Sequence, residues 1–573
     1  MYRVFVTLVV LALTSIQVLG QTCDRACLET ILSDYLTALV SHDPSRLPTT
    51  SDVKYVENDQ MLPLANSLGT YRHIFSDPVS SQVAAITTLM EKTVRIIYIV
   101  RLKLSPVPAA QRISRAELIA QTNKYYSGME RNDPRGNYSF FDTSCNRLED
   151  GLQTTNQRTG AAYGHSNDTT FASLGCEAQF QTGFLGFVTR IRDRRFPVVD
   201  EERQSTLPDP MSPNGTQQPI PRYFDVPRSL LAAEAFRLRA SKLFCIEMTL
   251  TEVPYGMRYA FRGRGMDLPG MGTNLTVASP CDRGCLLGVL NRTLEAMAMN
   301  DTVSIPLASG IRYSENGQFL APGDGLWETL GQAARPGVDE YAAVFADPES
   351  GTAAYWGGIT EHTTPGVLGL RVKVDYGKII EIEAIAVRAE STGARGGTMT
   401  LMRPPLPVEW EGDDSLGGLD PTFQRNAWDS SNTNVTMSAL TTAYLDGLEN
   451  HSSAFVPLTS KCTRRDNGVQ TNLSCAEQLD GKGPAPNGLS NMTTAVRDRR
   501  VLVADANKGV MMAVAMVDDP ATSPLAIEAA DRVPSTFMVL QLIKVGDGKI
   551  ARVEGMVKWM PFGYTSAWAE LAR

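Results

Sequence analysis

The sequence predicts an α+β protein of two homologous halves, each made of two cone-like units in which N-terminal helices pack a curved antiparallel sheet. Three observations predict it. "CDRACLETIL" at 23–32 returns as "CDRGCLLGVL" at 281–290. The segments that follow each copy also recur, in the same order. Within each half, an apolar helical pattern precedes β-branched runs, and the two alternate again further on.

The elements follow from local patterns. After the first "CDR-C", Leu28, Ile31, Leu32, Tyr35, Leu36 and Leu39 fall at three- and four-residue steps; after the second, Leu286, Val289, Leu290, Leu294 and Met297 do the same. That spacing puts one apolar stripe on each helix. Next come "VKYVENDQMLP" and "IRYSENGQFLA", then "FSDP" and "FADP", an acidic residue (Glu91 or Glu361), and strands ending "VRLKL" and "LRVKV". Helical patterns near 115–130 and 437–449 open a second unit in each half. There "CNRLEDG" matches "CTRRDNG", "RDRR" occurs at 192–195 and 497–500, and "VPYGM" matches "MPFGY". "DGKI" at 547–550 is a hairpin-turn signal. The division expected is a leader at 1–20, units at 21–110, 111–261, 281–395 and 435–573, and linkers at 262–280 and 396–434. The first unit has no counterpart to "GDGLWETLGQAARPGVDEY" (323–341), so a complete pocket is expected in the second half.

Length, ends and composition set the class. A chain of 573 residues is too long for one core. The net charge of −8 and the absence of a basic stripe argue against a nucleic-acid partner. "MYR", a 13-residue apolar run and a small residue before Gln21 form a secretory leader pattern, too short to span a bilayer. No later run has spanning length, so secretion without a membrane span is expected. Ten sequons then become candidates for N-linked glycans: Asn137, Asn167, Asn214, Asn274, Asn291, Asn300, Asn434, Asn450, Asn472 and Asn491.

Eight of the nine cysteines are twinned by the repeat, and in a secreted chain they should be oxidised. Symmetry favours local pairs: Cys23 with Cys27, Cys145 with Cys176, Cys281 with Cys285, Cys462 with Cys475. A bridge four residues apart inside a helix has poor geometry, so the two short pairs need a frayed first turn. Cys245, whose twin is Arg552, is expected to be a buried free thiol. No histidines sit at metal-ligand spacing, so no metal is expected.

No nucleophile elbow, phosphate loop or His-Glu-x-x-His motif is present, and no cofactor is implied. The best candidate for chemistry is "ITEHTTPGVLGLRVKV" (359–374). Glu361 or His362 would be an acid/base and Arg371 would orient a small substrate. Neighbours on a strand point to opposite faces, so Glu361 and His362 share a pocket only across a bulge. The alternative is that Arg371 and Lys373 pair with Glu381 or Glu383 across a hairpin. Tyr313, Trp327, Tyr355 and Trp356 are candidate pocket walls, with Tyr255 and Phe562 at the repeat ends; ordinary core is the alternative for each. "RDRR" is either a charged turn or an anion site.

"CDR-C", "YSENGQFLAPGDGLWETL", "LRVKVDYGKIIEIEAIAVR" and the closing "VPYG" resemble a family of secreted fungal proteins of uncharacterised function. Its units resemble the nuclear-transport-factor-2-like and SnoaL-like α+β cone. The resemblance covers nearly the whole chain after the leader and is fullest in the second half. It implies an apolar pocket in each cone, and brings no catalytic residues. Two functions are therefore expected: a cofactor-independent lyase, isomerase or cyclase acting on a small apolar metabolite, or a non-catalytic glycoprotein that binds a small ligand or a cell-wall component.

Overall fold

The computed structural model describes residues 9–11, much of 23–87, and most of 107–257, 281–388 and 434–570, together with Phe423. Within these, 157–168, 214–225, 483–492 and 520–533 are the longest segments left out. Glu91, the strand expected before Leu104 and the linker at 262–280 lie outside the described residues.

The protein is α+β, with three open, curved sheets that repeat one plan. In each unit a first strand (Phe141–Glu149, Leu307–Glu315, Leu458–Asp466) lies beside a closing strand (Lys242–Val253, Lys378–Arg388, Lys549–Pro561). The closing strand pairs on its other side with a penultimate strand (Ser229–Arg239, Thr364–Asp375, Ser535–Gly546). This corrects the expectation of purely antiparallel sheets: the first and closing strands run parallel in all three units. Strand composition carries no sign of direction, so a pairing across a hundred residues leaves no local mark. The registers are equivalent. Cys245 lies opposite Asn146, Glu381 opposite Arg312 and Arg552 opposite Thr463, each just past an irregularity in the pairing.

A helix precedes each sheet, at Arg115–Met129, Arg283–Ala298 and Asn434–Glu449. The expected stripe of the middle one is buried, and it shares a core with Tyr313, Trp327, Tyr355, Leu368 and Leu370. Leu118, Tyr125 and Tyr126 pack with Phe141, Phe180 and Phe236 in the second unit. Met437, Tyr444 and Leu448 pack with Phe537, Val539 and Ile543 in the fourth. In the first unit, helix Arg25–Ser41 buries Leu28, Leu32, Tyr35 and Leu36. Strands Arg72–Asp77 and Gln82–Thr87 pair beside it, and Val9–Leu11 of the expected leader adds to their edge.

The repeated "CDR-C" is a helix cap. Asp24 and Asp282 accept from the backbone N–H of Cys27 and Cys285 at 2.9 and 2.8 Å, filling bonds the first turn lacks. The first cysteine of each pair therefore stands before the cap and the second inside the helix. That removes the geometric objection to a four-residue bridge, and all four cysteine pairs expected from symmetry are at disulfide distance.

The third and fourth units pack sheet against sheet. Phe345, Trp356, Val367 and Ile385 meet Met512, Val514, Leu540 and Met556 in one buried cluster. Val253 and Met257, at the end of the second unit, enter the same cluster, as does Phe423 from the expected linker. Gly369 lets the faces touch: a Cβ there would lie 3.1 Å from Met512 Cε and closer still to Leu540. Polar contacts frame the contact. Arg283 of the second "CDR-C" binds both oxygens of Asp505, at 2.8 and 2.7 Å, and Arg500 binds Glu383. Among the described residues, no helix is long and apolar enough to cross a membrane.

Candidate functional site

Glu361, His362 and Arg371 do not converge. Glu361 faces the helix side of its sheet, in line with Tyr355 and Ile359. Arg371 pairs in register with Ala354, which belongs to the sheet-to-sheet cluster, and so projects from the opposite face. His362 is exposed at the turn beyond the strand, with a left-handed φ of 48°. The left-handed turn that begins at His362 separates it from Glu361, and alternation across the hairpin separates Glu361 from Arg371.

Both buried charges are already matched. The Glu361 carboxylate accepts from Arg388 at 2.5 and 2.9 Å and from Thr329 Oγ1 at 2.7 Å. Arg388 also pairs with Glu315 at 2.7 Å. Burial opposes its charge, but the two carboxylates beside it hold its pKa above the ordinary arginine value. Arg371 lies across Glu381 and Glu383, at 2.8 and 3.4 Å, as the hairpin alternative has it, except that all three are buried. A base so fully hydrogen-bonded takes up a proton only by breaking its ion pair.

The four pocket aromatics also divide. Tyr313, Trp327 and Tyr355 fill the core beneath the third unit's helix, with Tyr313 and Trp327 edge to face at 5.5 Å. Trp356 faces the fourth unit and donates to the Tyr341 hydroxyl at 3.3 Å, which donates on to Glu554 at 2.8 Å. The "GDGLW" turn is held by Gly325, at φ 63°, where a Cβ would lie 2.5 Å from Glu315 Oε2. Leu326 N–H takes that oxygen instead, at 2.7 Å.

Equivalent registers expose a constellation that motif searching missed. One residue past the matched pairs on the first strands stand Arg147, Tyr313 and Arg464; three past stand Glu149, Glu315 and Asp466. Each unit thus buries an acid at the same place, and each neutralises it with arginine. Arg147 pairs with Glu149 and Arg464 with both oxygens of Asp466, whereas the third unit recruits Arg388 from its closing strand. "CNRLED" and "CTRRDN" carry this Arg-x-acid step openly. Two strands across in the same row lie Glu234, Leu370 and Gln541. Glu234 is 3% exposed, and neither its Oε2 nor the hydroxyl of its neighbour Tyr125 has a well-formed hydrogen bond. Burial raises the Glu234 carboxyl to about 8, with Arg147 opposing and Glu149 adding to the rise.

Both "RDRR" segments are clamps. Asp193 and Asp498 adopt left-handed φ of 54° and 52°. The next arginines, Arg194 and Arg499, bind Glu130 and Glu449 at the ends of the opening helices, at 2.9 and 2.5 Å. Cys245 is buried and unbridged, and burial pushes its thiol up to about 12. Among the described residues, no group of histidine, cysteine or acidic side chains could hold a metal. Asn137, Asn291, Asn300 and Asn450 are exposed; the other six sequon side chains lie outside the described residues.

The second unit carries a groove of about 650 Å³ on its outer side. The outer face of helix Arg115–Met129, the loop at 131–140 and the turn at 240–242 form its walls. Tyr138 and Phe140 back it but are themselves buried. The turn is unusual. Ala240 and Ser241 both have left-handed φ, 47° and 61°, where the equivalent turns use Tyr376–Gly377 and Asp547–Gly548. Ser241 Oγ donates to Glu117 at 2.9 Å, which pins the turn to the helix. Three separate segments build this groove, so no local motif announces it.

Residues 111–250 and 430–557 each match a domain of unknown function, DUF8021. The match falls twice, on the second and fourth units, in agreement with a duplicated unit. No curated protein matches the chain.

Proposed function

We propose that the chain is a secreted, non-catalytic glycoprotein that binds a polar ligand on the outside of its second unit. The observation that carries this reading is the open groove of about 650 Å³, a volume of the size that small-ligand sites have. Its exposed lining is hydroxyl, amide and charged side chains, which suits a polar ligand better than an apolar metabolite. Of the candidate catalytic groups, Glu361 and Arg371 are, by contrast, matched inside buried ion pairs, and His362 stands exposed at a turn. Secretion is supported by the leader pattern and by four cysteine pairs that suit an oxidising compartment. The four exposed sequons suit glycosylation.

The test uses the full-length secreted protein in a thermal-shift and native mass-spectrometry survey of metabolites and cell-wall saccharides. Binding without product formation, abolished by the groove-filling Gln121→Trp and untouched by Glu361→Gln, is the expected result. Turnover of any compound that Glu361→Gln abolishes and Gln121→Trp spares would overturn the reading in favour of a catalyst.

A further inference from the structure

The outer groove has a charge pattern that narrows its ligand. Lys124, Arg131 and Lys242 all line it, and all three are exposed. Among the described residues, Lys124 Nζ reaches the Gln121 side chain, at 3.0 Å, and Arg131 Nε the Thr189 carbonyl, at 3.3 Å. Among the described residues, no carboxylate lies within ion-pair distance of any of the three. The two acids in the lining are already occupied. Glu130 accepts from Arg194 and from Ile191 N–H, both at 2.9 Å, and Asp133 accepts from Arg135. Three cations without a carboxylate partner among the described residues thus share one concavity on a chain whose net charge is −8. Around them, Gln121, Ser127, Ser139 and Ser241 offer an amide and hydroxyls.

From this juxtaposition we infer that the groove binds an acidic saccharide, a uronate-type chain whose carboxylates meet Lys124, Arg131 and Lys242 while its hydroxyls meet the amide and hydroxyls between them. Charge-assisted hydrogen bonds to carboxylate are the strong contacts here, and neutral bonds to sugar hydroxyls give the fit. The inference rests on the groove being a ligand site and adds its chemistry. The left-handed Ala240–Ser241 turn belongs to the same wall: it sets Lys242 beside the helix that carries Lys124. Asn137 stands on the rim, so a glycan there would border the ligand.

The experiment is calorimetric titration of the full-length secreted protein, with and without Asn137→Gln. The probes are a tri-uronate, its neutral methyl ester, and inorganic phosphate. The uronate should bind at least tenfold more tightly than the ester, weaken as salt rises, and lose tenfold or more when Lys124, Arg131 and Lys242 are all replaced by Gln. The replacements are exposed and should leave the melting temperature unchanged. Lys549→Gln, on the matching turn of the fourth unit, should change nothing. Equal binding of uronate and ester, abolished by Gln121→Trp, would overturn the charge assignment and leave the groove as a ligand site. Phosphate matching the uronate would overturn the saccharide. Uronate binding indifferent to Gln121→Trp would overturn both.

Discussion

Glu234 shows how one buried side chain sets a pH dependence. The row it occupies holds a carboxyl in the second unit, an alkyl group in the third (Leu370) and an amide in the fourth (Gln541). Its carboxyl titrates near 8 in the folded chain, against an ordinary value of 4.5. Between these values the folded protein keeps a proton that the unfolded chain has released. Stability is therefore full below about 4.5, falls by roughly 1.4 kcal/mol per pH unit through the window, and levels off above about 8. Glu234→Gln removes that slope. Urea denaturation at pH 4, 6 and 8 should show the variant gaining on the wild type from pH 4 to pH 8, with no gain at pH 4. Parallel stability curves across the three pH values would refute the assignment. Nothing in the segment "LLAAEAFRLR" distinguishes Glu234 from a surface acid, because burial is decided by the helix and strands that close over it.

Helices and turns were the most legible elements, since their signals are local. The apolar stripe after the second "CDR-C" became the buried face of its helix, the stripe after the first buries Leu28, Leu32, Tyr35 and Leu36, and the twinned cysteines became four pairs. What the sequence withheld was long-range. The parallel pairing of first and closing strands, the opposite projection of Glu361 and Arg371, and the recruitment of Arg388 all depend on which strands become neighbours. The turn at 240–241 gives a test at this scale. Alanine at φ 47° is strained where glycine is not. Ala240→Gly should therefore stabilise the protein by about 0.5–1 kcal/mol, read as a rise in melting temperature. It keeps Ser241 and its bond to Glu117. A fall in melting temperature would show that the Ala240 methyl makes contacts worth more than the strain.

Across the whole molecule, the duplication has been used in two ways. The second and fourth units keep the same clamp and buried Arg-acid step, while the third pairs with the fourth through its outer sheet face and takes its arginine from elsewhere. In the sequence the third unit stands out as the more complete copy of its type. Completeness there proved to be packing, with Trp327 and Tyr313 filling the core and Trp356 joining the neighbour.

The sheet-to-sheet contact also alters the role of the peptide that joins its partners. Trp356, Met512 and Leu540 are sealed from water, Phe423 of the joining chain is buried among them, and Arg283 locks onto Asp505 at the margin, so the two units hold each other through these faces. The covalent join raises their local concentration during assembly, and once they have met its continuity ahead of Phe423 becomes dispensable. A protease site engineered between residues 400 and 410, then cut, should yield two bands on a denaturing gel run under reducing conditions but a single species in sedimentation. Two separating species would mean that the join, and not the buried faces, keeps the halves of this pair in one particle.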